Sequence, residues 1–204
     1  MPELEIDTPH GLARAHLHPA HAPVAALLLG HGAGGGVTAR DLLAATQAAN
    51  AESVSVALVE QPYRVAGRRS PPRAPVLDEA WTAIVHQLLA GPFAGLPLIA
   101  GGRSSGARVA CRTSGATGAI GVLCLAFPLL APARRGTTER PSREPELDLV
   151  TVPTLIVQGE RDPFGMPPPA PGRTVVRLPG DHRLASDLHG LTAAVREWLG
   201  ILRA

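Results

Sequence analysis

The sequence predicts an α/β protein, and three observations carry that reading. Short apolar runs such as Val24-Ala25-Ala26-Leu27-Leu28-Leu29 are continuous rather than alternating, which suits strands buried on both faces. Between such runs lie segments whose apolar residues follow helical spacing, as in Trp81, Ile84, Val85 and Leu88. One run, Leu98-Ile99-Ala100-Gly101-Gly102, passes through Arg103-Ser104-Ser105-Gly106 directly into a further segment of that kind.

Length and composition narrow the class. The chain has 204 residues, enough for one domain with a full core and too few for two of ordinary size, so a single domain over 1–204 is expected. Hydrophobic residues make up 45% but aromatics only 3%, so Ala, Val, Leu and Ile must fill the core. Apolar runs stay short of the roughly 18 residues a membrane span needs. Met1-Pro2-Glu3-Leu4-Glu5 lacks a basic start followed by an apolar stretch, and a cytoplasmic protein without a membrane partner is expected. Every Lys+Arg position is arginine, which excludes Schiff-base and pyridoxal-lysine chemistry and a P-loop lysine. A net charge of +2 is too small to argue for nucleic acid. Cys111 and Cys124 are expected as buried free thiols.

Residues 4–7 and 13–18 alternate apolar and polar around Pro9-His10-Gly11 and read as a peripheral hairpin with one wet face. That alternation puts His16 and His18 together toward solvent with no carboxylate or cysteine beside them, so no metal site is expected. The buried strand over 24–29 breaks into Gly30-His31-Gly32-Ala33-Gly34-Gly35-Gly36, where a phosphate cradle would need a better G-x-G-x-x-G spacing. A helix follows over 38–51, then a strand over 54–59. Residues 60–73 read as a long loop holding the only tyrosine, Tyr63, and four arginines. Of these, Arg68 and Arg69 are candidates for attracting an anionic substrate group, with Tyr63 beside them.

An amphipathic helix is predicted over 77–89, the elbow strand from 98, its helix to about 114, and a buried strand over 119–127. Residues 128–148 show little periodicity and are too short for a cap domain, leaving at most a mobile flap. The strand around 152–158 leads to Asp162, just past its C-terminal end, where ligands sit in open parallel sheets. The prolines of 167–171 replace much of the helix expected next. The last strand, 174–178, runs into Pro179-Gly180-Asp181-His182, and a final helix covers 188–202.

Gly102-Arg103-Ser104-Ser105-Gly106 matches G-x-S-x-G, a strained strand–turn–helix that pushes a serine hydroxyl into the open. Ser104 has glycines at both positions two residues away, whereas Ser105 would have Arg103 and Ala107 there, so Ser104 is the candidate nucleophile. The N–H of Ser105, opening the helix, is placed to donate to an oxyanion. His182 is the candidate base and Asp162 its orienting acid; Asp181 and His189 are the rivals. The serine thus falls after a mid-chain strand, the acid after the penultimate strand and the histidine after the last, in an order that α/β-hydrolases share.

The resemblance extends over most of the chain. Its blocks are Gly30-His31-Gly32-Ala33-Gly34, Gln61-Pro62-Tyr63-Arg64, Gly67-Arg68-Arg69, the segment 74–81, Gly101-Gly102-Arg103-Ser104, the segment 153–165 and Gly180-Asp181-His182. In these the sequence resembles the small, cap-free α/β-hydrolases related to dienelactone hydrolases, in a branch that includes animal testis-expressed proteins and chromatin-complex subunits. The resemblance implies a central, mostly parallel twisted sheet with helices on both faces and a triad on Ser104, His182 and Asp162. It also implies a His-Gly loop whose Ala33 N–H is the second oxyanion donor. The chain departs from the family where Arg183-Leu184 stands in place of Ser-Phe and where 128–148 is abbreviated. The expected function is hydrolysis of a small carboxylic ester, thioester or related acyl compound through an acyl-enzyme, with no metal or organic cofactor. The alternative is a catalytically silent hydrolase fold serving as an interaction module.

Overall fold

The continuous apolar runs form the middle of an eight-stranded sheet. The structure is a computed structural model and describes residues 2–133 and 139–202. Its strands are β1 (Glu3–Thr8), β2 (Gly11–His18), β3 (Ala25–Gly30), β4 (Val54–Glu60), β5 (Leu98–Arg103), β6 (Gly121–Leu125), β7 (Thr154–Gly159) and β8 (Arg173–Leu178). They lie in the order β1-β2-β4-β3-β5-β6-β7-β8. The pairs β1–β2 and β2–β4 are antiparallel, and the other pairs are parallel. β3 and β7 are buried along their whole length, as strands covered on both faces must be.

Alternation along these strands divides the core into two layers. Leu28, Ala57, Ala100, Cys124 and Ile156 face one way and pack with α3 (Ala74–Ala90) and α4 (Ser105–Thr117) through Trp81, Ile84, Val85 and Ala110. Leu27, Leu29, Val56, Ile99, Leu123 and Val157 face the other way and pack with α1 (Arg40–Ala51) and α6 (Leu188–Leu202) through Leu42, Ala45, Val195 and Trp198. Helices therefore cover both faces, and the fold is that of the α/β-hydrolases. No helix among the described residues is long and apolar enough to cross a membrane.

Several elements differ from the expected ones for identifiable reasons. The 60–73 loop contains a short helix, α2 (Pro62–Val65), because Pro62 opens a turn that needs no donor there. α3 starts three residues early for the same reason, with Pro75 in its first turn. α4 runs on to Thr117 and stops at Gly118, which adopts the left-handed conformation of a C-cap. β6 is shorter than its apolar run because Ala126 turns to φ +50°. His16 is not free of acids: its ring nitrogens lie 3.2 Å from Glu3 on β1 and 3.2 Å from Glu60 on β4, neighbours set by strand pairing. The flap expected over 128–148 falls partly on residues 134–138, outside the described residues. Its flanks hold a bridge between Leu130 and Ser142 and a short helix, α5 (Glu144–Asp148). Cys111 and Cys124 are free and buried, with sulfurs 3.5 Å apart.

Candidate active site

The site is assembled where β3, β5, β7 and β8 end. At the tip of β5, Ser104 has φ +52° and ψ −108°, a strained conformation for a residue with a side chain. Its N–H donates to Leu125 O at 2.9 Å, tying the turn to β6. The flanking glycines are required by a neighbour as well as by the turn. A Cβ on Gly102 would come within 2.6 Å of Gly30 O and 2.7 Å of Gly106 C, and one on Gly106 would run into the Gly30 carbonyl. The end of β3 thus presses against the elbow and brings the His-Gly loop alongside it.

That loop is held from three sides. Gly35 N donates to Gly32 O at 3.1 Å, closing a turn that leaves the N–H of Ala33 unused by the turn itself. His31 is buried, donates from Nδ1 to Gly32 O at 2.8 Å and accepts the Gln61 N–H on Nε2 at 3.2 Å. Burial holds this imidazole below its ordinary pKa, in keeping with the neutral tautomer those bonds require. Tyr63 is also buried, and its hydroxyl donates to Ala33 O at 2.9 Å; burial pushes its pKa up to about 12. Tyr63 therefore stands behind the loop, while Arg68 and Arg69 are exposed on the segment that follows it. At the start of α4, the N–H of Ser105 has no intrahelical acceptor.

The other two candidates meet Ser104 through loops pinned together by backbone bonds. Glu160 N donates to Leu178 O and Arg161 N to Gly180 O, each at 2.9 Å, and Gly159 leaves no room for a Cβ against Asp181 O. His182 Nε2 then lies 2.9 Å from Ser104 Oγ, and its Nδ1 lies 2.8 Å from Asp162 Oδ2. With the proton on Nδ1, the imidazole donates to the carboxylate and accepts the serine hydroxyl. The Asp162 side chain is fully buried. Its Oδ1 accepts the Phe164 N–H and its Oδ2 the Gln158 amide, both at 2.8 Å. Asp181 is exposed and accepts the N–H of Arg183, and His189 is exposed on α6.

Three residues at this site carry no motif of their own. Gln158 is fully buried on β7 and directs its amide nitrogen at Asp162, Phe127 O and Gly165 O. Phe164 meets the His182 ring edge-on, with centroids 4.6 Å apart. Asp41, in the first turn of α1, is 1% exposed and binds the guanidinium of Arg103. A polar residue closing a strand that is otherwise mostly apolar, as with Gln158, is the one signal the sequence offers for this group.

A family described as an alpha/beta hydrolase domain matches residues 23–173. The chain belongs to that family. Among solved structures it is similar to XC6422 from Xanthomonas campestris, described as an α/β serine hydrolase without a lid, at 17% identity and TM-score 0.75. That likeness covers 98% of this chain and 94% of the other. It is similar to Est1E from Butyrivibrio proteoclasticus at 16% identity and TM-score 0.78, with 98% of each chain covered. A dienelactone hydrolase from Anabaena variabilis matches at 14% identity and TM-score 0.75, over 98% of this chain and 96% of the other. No curated protein matches. At these identities the likeness concerns the fold alone.

Proposed function

We propose that this α/β hydrolase is a serine hydrolase of small carboxylic esters, thioesters or related acyl compounds. The observation that carries the reading is the unbroken line from Ser104 Oγ to His182 Nε2 at 2.9 Å and from His182 Nδ1 to Asp162 at 2.8 Å. Ser104 attacks the acyl carbon while His182 takes its proton. The carbonyl oxygen gains charge and is held by the N–H groups of Ala33 and Ser105. Collapse of the tetrahedral adduct expels the alcohol or thiol, which leaves with the proton from His182, and an acyl-Ser104 ester remains. Water, deprotonated by His182, then attacks that ester and releases the acid and free Ser104. Asp162 holds the imidazole in the required tautomer and stabilises its cation, in a position that Gln158 and Phe164 support.

A fluorophosphonate probe tests the reading whatever acyl group the enzyme prefers. The folded protein is expected to be labelled once, and Ser104→Ala not at all. A well-folded wild type that resists labelling would return the chain to the interaction-module alternative. Est1E has been solved with ferulic acid bound, so aryl-acrylic esters join acyl esters of graded chain length as a first substrate panel. Arg68 and Arg69 are the side chains proposed to favour acidic members of that panel.

A further inference from the structure

Arg103 occupies the variable position between Gly102 and Ser104, where the motif itself sets no requirement. Its guanidinium nonetheless reaches three parts of the site. Nε donates to Asp41 Oδ2 at 2.8 Å, and Nη2 donates to the backbone carbonyl of His182 at 3.0 Å. Nη1 lies against Gly32, where a Cβ would approach it to 2.7 Å. The group is therefore wedged between α1, the histidine loop and the oxyanion loop. Asp41 is itself fixed, because its Oδ1 accepts the Leu42 N–H at 2.9 Å at the start of α1. Burial pushes the Asp41 carboxyl up, and the adjacent Arg103 charge draws it back toward the ionised form.

We infer that Arg103 is a positioning residue of the hydrolase, with Asp41 as its anchor. This rests on the proposed triad. Asp162 and Phe164 set the ring of His182, but neither holds its backbone. Arg103 does, from the residue next to the nucleophile, so one rigid fork fixes the base relative to the serine. A lysine supplies the charge but not the planar set of donors that bonds Asp41 and the His182 carbonyl together. A shift of about 1 Å between nucleophile and base is enough to cost on the order of 100-fold in rate.

The test compares wild type with Arg103→Lys and with the paired variant Asp41→Leu/Arg103→Met, which leaves no unpaired buried charge. Three measurements are made: the fluorophosphonate inactivation rate, kcat and KM for a neutral and an acidic ester, and amide hydrogen exchange. The paired variant is expected to melt cooperatively and to keep its central strands protected. Its inactivation rate and kcat should fall about 10- to 100-fold with KM for the neutral ester within about twofold, and exchange across residues 180–186 should rise about tenfold. Arg103→Lys should be nearly as slow. Wild-type rates and wild-type exchange in the paired variant would overturn the inference. So would full activity in Arg103→Lys, which would mean that charge alone suffices. A rise in KM confined to the acidic ester would make Arg103 a substrate contact instead. If wild type itself resists the probe, the triad reading fails, while loop exchange still reports on whether Arg103 holds His182.

Discussion

At the scale of single residues, His31 shows how a histidine in a prominent motif can work on the backbone rather than on a substrate. Both ring nitrogens are spent, one on Gly32 O and one on the Gln61 N–H, and the second of these bonds is lost when the ring is protonated. Burial, the largest influence, holds its pKa below 6.5, with the nearby Arg64 charge acting the same way. The sign of the linkage follows. The unfolded chain binds the proton first, so stability is fully present above about pH 6.5 and is lost as pH falls through the depressed folded value. Asp41, raised above its ordinary 3.8 by burial, acts in the opposite sense. Denaturant midpoints between pH 7.5 and 5 should decline for wild type, and His31→Gln, which keeps a donor and an acceptor, should flatten that decline. An equal slope in the variant would show that His31 is not the group responsible. Gln158 was less legible than His31, since a glutamine closing an apolar strand marks a position but names no partner. Only the fold reveals that it supports the acid.

At the scale of elements, the elbow was legible because its glycines are dictated by contacts that few other residues could meet. The same reasoning separates glycines that look alike in sequence. A side chain on Gly106 would run into the Gly30 carbonyl and approach His31 O to 2.9 Å, whereas one on Gly34 meets nothing within 4 Å. Gly106→Ala is therefore expected to cost about 3 kcal/mol or more in chemical denaturation, with loss of labelling by the probe. Gly34→Ala should be neutral or stabilise by about 0.4–1 kcal/mol by restricting the unfolded chain. A Gly106→Ala protein with wild-type stability would mean that β3 and α4 are not packed as closely as described. The buried strands were equally legible, because burial on both faces leaves a continuous apolar run. Short helices were not. α2 and α5, at four and five residues, carry too few positions for any periodicity to register.

At the scale of the whole molecule, the order of strands was the least legible feature, because pairing between β3 and β5 joins segments some seventy residues apart with no mark in either. That order nevertheless decides what surrounds the site. It sets the loops after β3, β4, β5 and β8 at one rim, and with them the exposed Arg40, Arg68, Arg69 and Arg183. None of these four forms an ion pair among the described residues, so their charge is available to a ligand. A rim of unpaired guanidinium groups raises the local concentration of anions, and salt weakens the effect as the screening length shrinks from about 30 Å at 0.01 M to about 8 Å at 0.15 M. For an ester bearing a free carboxylate, kcat/KM should fall severalfold across that range, while a neutral ester of the same size should be nearly indifferent. Among the described residues Arg68 is bonded only through its backbone, to Tyr63 O and from Arg64, so Arg68→Gln/Arg69→Gln removes charge without disturbing the loop. That variant should raise KM for the acidic ester and reduce its salt dependence. If the acidic-to-neutral preference stays as in wild type, these two arginines are solvated surface, and Arg40→Gln/Arg183→Gln, beside Gly32, Gly35 and Arg103, becomes the pair that must abolish the slope.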